Sequence, residues 1–208
     1  MKNLVSKLKN KGYLEDKSLE RAFLKIKRAD FVPKENRELA TEDRPLPIGK
    51  GQTISQPTVV ALMLEKLNPQ PGDKILDIGS GSGWTSALLA ELVGKKGSVV
   101  SLEIIPEIKE FGERNVNKYN FIKEGRVNMH CSDGREGFSK EAPFDKILVS
   151  AALQEKKIPK KWNKQLKEGG VLVVPIKDSI YKFIKKEEDL IGERDFGFRF
   201  VPLVKDDE

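Results

Sequence analysis

From Asp73 onward the chain alternates short apolar runs with longer amphipathic stretches. The runs near 74–78, 98–102, 126–131, 145–150 and 170–175 are five or six residues long and close on turn-forming residues, which predicts strands. Between them, apolar residues recur at helical spacing near 84–93, 106–118 and 159–167, while a helix near 134–139 is only weakly patterned. This alternation predicts an α/β architecture with a mostly parallel central sheet and helices on both faces. Ahead of it, 2–11 and 17–27 read as a short N-terminal helical segment, with Leu4 and Leu8 on one face and Leu19, Phe23 and Ile26 on another. A proline-rich stretch from Phe31 to Gly49 favours extended or turning backbone. Ser55 then reads as the N-cap of a helix with Pro57 in its first turn and Val60, Leu62, Met63, Leu64 and Leu67 in its body. After Pro175, the runs 180–185 and 196–204 have no helix between them and predict an antiparallel hairpin at the sheet edge. A chain of 208 residues is expected to form one domain, with helices and a loop over 1–55, the core over 56–176 and the hairpin over 177–208.

The run ending Leu76-Asp77-Ile78 breaks into Gly79-Ser80-Gly81-Ser82-Gly83, and twenty residues after Gly83 the next apolar run ends in Glu103. Alternating glycines let backbone approach a ligand closely. A carboxylate at that second strand end can accept both hydroxyls of a ribose. The third glycine comes one residue too early for a dinucleotide fingerprint, Trp84 occupies its place, and no Gly-Lys-Ser or Gly-Lys-Thr follows. Asp77 would repel a pyrophosphate but attract the ammonium and sulfonium of S-adenosylmethionine, so a cationic nucleoside cofactor fits better. Cys131-Ser132-Asp133-Gly134 closes the third core strand, where Asp133 has two readings: acceptor for the adenine amine, or one half of an Asp-Gly turn. Asp145 opens a strand and reads as structural.

Charge changes the picture little. The net charge of +6 invites a nucleic-acid reading, yet Glu187-Glu188-Asp189 directly follows Lys185-Lys186, and few aromatics alternate with the lysines. Nucleic acid is therefore not an expected partner. Cys131 is the only cysteine, and with His130 beside it on opposite faces of a strand no nucleophile–base pair and no metal set can be assembled. No apolar run approaches the roughly 20 residues of a membrane span, and the first residues lack the apolar core of a signal peptide, so a cytoplasmic protein without a membrane partner is expected.

The segment Asp43-Arg44-Pro45-Leu46-Pro47-Ile48-Gly49, followed by Gly51-Gln52-Thr53-Ile54-Ser55, resembles the signature of the protein-L-isoaspartate O-methyltransferases. The likeness extends to Phe31-Val32-Pro33, the glycine loop, Ala142-Pro143-Phe144-Asp145, Ala151-Ala152, Ile158-Pro159, Gln165 to Gly170 and Arg199-Phe200-Val201-Pro202-Leu203. It implies a Rossmann-like methyltransferase fold, S-adenosylmethionine as methyl donor with S-adenosylhomocysteine as product, and isoaspartyl proteins and peptides as partners of a monomeric repair enzyme. It also places Ser55 at the catalytic position, with Thr53, Ile54, Gln56 and Ala151 on the substrate side. Asp77, Gly79, Ser80, Gly81 and Gly83 are expected at the methionine end, Glu103 at the ribose, and Asp133 with Gly134 at the adenine. Thr58-Val59 and Lys177 depart from the family pattern, in which bulkier residues and a glycine are common. A methyltransferase of the same fold acting on RNA or another acceptor, and a non-catalytic S-adenosylmethionine-binding protein, are the alternative readings.

Overall fold

The computed structural model describes residues 1–198 and 200–203. Helices α1 (Lys2–Asn10) and α2 (Lys17–Lys25) come first, followed by a hairpin of β1 (Leu46–Gly49) and β2 (Gln52–Ile54) and by α3 (Pro57–Leu67). The alternating core comprises β3 (Lys74–Ile78), α4 (Trp84–Val93), β4 (Ser98–Glu103), α5 (Pro106–Asn117), β5 (Val127–Cys131), β6 (Phe144–Val149) and α6 (Lys160–Gln165). The chain then runs through β7 (Leu166–Ile176), β8 (Ser179–Lys186) and β9 (Asp189–Phe196).

The central sheet has the order β5-β4-β3-β6-β7-β8-β9, with parallel pairing from β5 to β7 and antiparallel pairing of β8 with both neighbours. From β3 the chain steps outward through β4 and β5 and then crosses to β6 on the other side of β3, so the strand order reverses there. Ligands of open α/β sheets bind outside the carboxyl ends of the strands at such a point. Ile75, Val99, Leu148 and Val173 face the layer of α1 to α5, and Leu76, Val100, Ile147 and Leu172 face the layer containing Trp162 of α6. Burial on both faces explains why these strands read as nearly continuous apolar runs.

The proline-rich stretch is turning and then extended, as expected: 3-10 turns at Lys34–Asn36 and Glu38–Thr41 lead into β1, and the β1–β2 hairpin is turned by Lys50 and Gly51, which have φ of 50° and 70° and so match the right-handed strand twist. Three local expectations are corrected, and the second strand of the edge hairpin is a fourth. Ser55 does not cap α3: the N-cap is Gln56, without a side-chain bond, and the amide of Thr58 instead donates to Asp43 Oδ1 at 2.9 Å. Helix α6 stops at Gln165 because Leu166 already pairs with Phe144 in the sheet, and the Gln165 side chain is held by the Phe138 amide and the Glu136 carbonyl. The weakly patterned stretch holds two 3-10 turns, Gly134–Glu136 and Ser139–Glu141.

The edge hairpin is antiparallel as expected, but its second strand is the polar stretch Asp189–Phe196, not 196–204. An edge strand pairs on one side only, and most of β9 is exposed, so charged residues there cost little burial and blunt the edge against aggregation. Lys177, in the β7–β8 turn, has φ of 54°, a conformation that glycine adopts without strain, so this departure lies in the turn. Among the described residues, no helix is long and apolar enough to cross a membrane. Arg199 and Val204 of the expected tail lie outside the described residues.

Candidate active site

Two cavities meet above the carboxyl ends of β3, β4 and β6. The first, open to solvent on one side, is walled by the glycine loop, the end of β4, Ser132, Gly134, Ala151, the Thr53–Ser55 segment and the tail residues Val201, Pro202 and Leu203. The second is bounded by Pro45, Gln56, Val59, Gly197, Phe198 and Phe200. Thr53, Ser55, Ser150 and Val201 belong to both walls, so Ser55 stands at the junction.

The glycine loop is shaped by contacts beneath it. Gly83 has φ of 83°, and a Cβ there would lie 2.6 Å from Val116 Cγ2 and 2.9 Å from the Gly112 carbonyl, so the turn closes directly onto α5. Gly79 and Ser80 donate their amides to the Leu102 carbonyl at 2.8 and 3.0 Å, fixing the loop to the end of β4. The Gly81 amide donates to Glu103 Oε2 at 3.0 Å, while Glu103 Oε1 accepts from the amides of Ile104 and Ile105 at 2.9 and 3.1 Å. Glu103 is buried, and burial raises its carboxyl pKa against the lowering effect of those three bonds.

Asp77 lies behind the loop and not on the cavity wall. Its Oδ2 accepts from Ser86 at 2.6 Å and Thr85 at 3.2 Å, and Ser86 in turn accepts from Ser101 at 3.0 Å. Burial pushes the Asp77 carboxyl up to about 6, opposed by the bonds from Ser86 and Thr85, with the charge of Glu103 adding to the rise. Its Oδ1 is buried without a partner, as is the Ser80 hydroxyl. Buried polar atoms in this state are costly unless a ligand satisfies them.

These features fit S-adenosylmethionine. The first cavity has an apolar wall from Ile78, Leu102, Ile104 and Leu203, and the Glu103 carboxylate for a ribose. Among the described residues its lining includes no lysine or arginine, the side chains that a pyrophosphate would call for, and the carboxylates nearest it favour a cation.

The sequence-derived site residues divide into two sets. Thr53, Ile54, Ser55, Gly79, Ser80, Gly81, Glu103, Gly134 and Ala151 line the first cavity, and Gln56 lines the second. Asp77, Gly83 and Asp133 do not line either one. The Asp133 carboxylate accepts from the Arg135 amide at 2.9 Å and from the Arg135 guanidinium, capping the turn at Gly134. Burial acts to raise its pKa, but the bonds from Arg135 prevail and hold it below the usual carboxylate range. Asp145 is structural: it accepts from the Lys74 amide at 2.8 Å and from Lys167 at 2.6 Å.

Ser150 and the tail were not among the expected site residues. The Ser150 amide donates to the Ile78 carbonyl at 2.8 Å, which sets it beside the glycine loop. The tail crosses the site through two bonds, from the Ala152 amide to the Val201 carbonyl at 2.8 Å and from the Leu203 amide to the Ala152 carbonyl at 2.9 Å. The available signal was the apolar run Phe200-Val201-Pro202-Leu203, which reads equally well as a strand.

A family model described as Protein-L-isoaspartate(D-aspartate) O-methyltransferase (PCMT) matches residues 1–208. The protein-L-isoaspartate O-methyltransferase of Methanopyrus kandleri is 41% identical over 206 residues, covering 97% of this chain and 89% of the relative. That of Pyrococcus horikoshii is 42% identical over 211 residues, covering 98% and 92%. Among solved structures, a protein-L-isoaspartate O-methyltransferase superposes with a TM-score of 0.87 at 32% identity, over 99% of this chain and 66% of that one. A beta-aspartate methyltransferase (PCMT) structure from Plasmodium falciparum, in complex with S-adenosyl-L-homocysteine, gives a TM-score of 0.85 at 28% identity, over 99% and 98%. The sheet order, the strand-end loop and these likenesses agree on a Rossmann-like methyltransferase fold. This chain belongs to the protein-L-isoaspartate(D-aspartate) O-methyltransferase family.

Proposed function

We propose that this protein transfers the methyl group of S-adenosylmethionine to the free α-carboxylate of L-isoaspartyl residues in damaged proteins and peptides. The observation that carries the reading is the junction at Ser55, where a carboxylate-edged nucleoside cavity opens into a second cavity whose described lining residues are uncharged. An isoaspartyl α-carboxylate has a pKa of about 4 and is already an anion at neutral pH, so no general base is needed. The acceptor oxygen forms a bond to the methyl carbon as the carbon–sulfur bond breaks, and that electron pair stays on sulfur, which leaves as a neutral thioether. When bound, S-adenosylmethionine supplies the electrophilic methyl group.

The chain's own residues then have positioning roles. Glu103 receives the ribose, the backbone from Gly79 to Gly81 and the Ser80 hydroxyl face the methionine end, and Asp77 supplies negative charge from behind the loop. Gly134 and Ser132 stand at the adenine end, with Asp133 shaping their turn. Ser55, with Thr53, Ile54, Gln56 and Ala151 around it, orients the acceptor carboxylate, and Val201 and Pro202 help to exclude water. Good orientation of two bound reactants is worth roughly 7 to 11 kcal/mol. One chain supplies both cavities, so a single copy suffices, and the cytoplasm is its proposed setting. The test is transfer of labelled methyl to a peptide with one isoaspartate, beside the same peptide with aspartate and a transfer RNA. Base-labile label on the isoaspartyl peptide alone is the expected result. Label on the RNA, or bound cofactor with no transfer, would overturn it.

A further inference from the structure

Arg28 follows α2 in a 3-10 turn and is fully buried, with a solvent exposure of 0%. Its two terminal nitrogens donate to four backbone carbonyls: Nη1 to Ala40 at 3.1 Å and Glu42 at 3.2 Å, and Nη2 to Arg44 at 2.8 Å and Ser55 at 3.1 Å. Arg44 precedes the β1–β2 hairpin and Ser55 follows it, so one guanidinium ties the two ends of the hairpin together. The same group lies 5.5 Å from the centroid of the Trp84 ring. Trp84 opens α4 directly after the glycine loop, and it lines the first cavity. Arg28 therefore touches both walls of the junction, the acceptor wall through the Ser55 carbonyl and the cofactor wall through Trp84.

Burying a cation costs several kcal/mol unless its donors are satisfied; both terminal nitrogens of Arg28 are satisfied, whereas its Nε is buried without a partner among the described residues. Burial brings the Arg28 pKa down to about 10, so it stays charged at neutral pH. An apolar residue could fill the space, but only a planar guanidinium presents enough N–H groups in fixed directions to gather four carbonyls from separate turns. We infer that Arg28 is a positioning residue for methyl transfer: it sets the place of Ser55 relative to the glycine loop and so holds the acceptor cavity in register with the cofactor cavity.

Lys146 is the natural comparison. It too is a buried cation on backbone carbonyls, donating to Leu67 at 3.0 Å and Asn68 at 2.6 Å, but at the far end of α3 from the junction. The experiment measures stability, S-adenosylhomocysteine affinity and steady-state kinetics on an isoaspartyl peptide for Arg28→Lys, Arg28→Met and Lys146→Met, in the full chain and with rates normalised to the folded fraction. The expected result is a kcat about 10-fold lower for Arg28→Lys and about 100-fold lower for Arg28→Met, the scale of an ångström-sized misplacement. Cofactor affinity should stay within about threefold, and Lys146→Met should lose stability while its kcat matches wild type. If Arg28→Met does not fold, Arg28→Lys decides. A kcat for Arg28→Lys equal to wild type, or reduced equally in Lys146→Met, would overturn the inference. It rests on the acceptor reading above: failure of the wild type to methylate the peptide defeats that reading, whereas wild-type transfer with unimpaired Arg28 variants defeats only this one.

Discussion

The glycine loop after β3 and the segment from Glu42 to Gln56 face each other across the same junction, yet they are held in different ways. The loop hangs from the ends of β3 and β4, whose five paired positions fix its height, and it is bonded to Leu102 and Glu103 and packed on Gly112 of α5. The facing segment has a two-stranded hairpin of its own, and its other ties run largely through side chains: Asp43 accepts from the Thr58 amide and hydroxyl, Asn36 donates to the Pro47 carbonyl, Lys50 pairs with Glu107, and three of the four bonds from Arg28 reach Glu42, Arg44 and Ser55. One wall inherits its geometry from the sheet, while the other is assembled from individual side chains. Changes to the first should therefore disturb fold and cofactor together, and changes to the second should disturb transfer alone.

Gly83→Ala attacks the first wall most severely. It puts a Cβ against Val116 and Gly112 at a φ of 83°, and a loss of about 3 kcal/mol of stability is expected from strain and overpacking together. Thermal unfolding checks it, and a stability equal to wild type would mean that the loop can move off α5. Next is Glu103→Gln, which keeps the shape and removes the charge. S-adenosylhomocysteine affinity should fall about 10- to 100-fold by titration calorimetry, the value of hydrogen bonds to a charged group.

A third effect comes from Asp77, whose carboxyl is raised by burial to about 6. The free protein is therefore protonated there below that pH and ionised above it, and a ligand that brings its ammonium group to the loop favours the ionised form. Affinity for S-adenosylhomocysteine should be level above pH 7 and fall up to about tenfold per unit as pH drops below 6, with Asp77→Asn flattening the profile. The smallest change tests the other wall. Ser55→Ala should lower kcat/KM for the isoaspartyl peptide about tenfold, the loss of one hydroxyl contact, and leave cofactor affinity unchanged. A loss of cofactor affinity in that variant would break the distinction between the walls.

The same difference decided what could be read in advance. Strands buried on both faces announce themselves as apolar runs, and Glu103 follows from the spacing between one strand end and the next. Asp77 was legible as a strand-end acid, but its burial behind the loop depends on Ser86 and Ser101, which come together only in the folded sheet. Ser55 is singled out by the family resemblance alone, since its other reading, a helix cap, fails: Asp43 does that work from a distance in sequence. Arg28 carried no signal, because an arginine just after a short charged helix reads as solvated surface. Phe198, Phe200 and Val201 were misplaced because a short apolar run reads as a strand, while the strand that completes the sheet is the polar β9.

The most direct test of the account is to locate the methyl group by fragmentation mass spectrometry after one turnover on a peptide with a single isoaspartate and a blocked C-terminus. The account predicts one methyl ester on the isoaspartyl α-carboxylate and none on the aspartyl counterpart. A methyl group on any other atom, or equal esterification of both peptides, would contradict it.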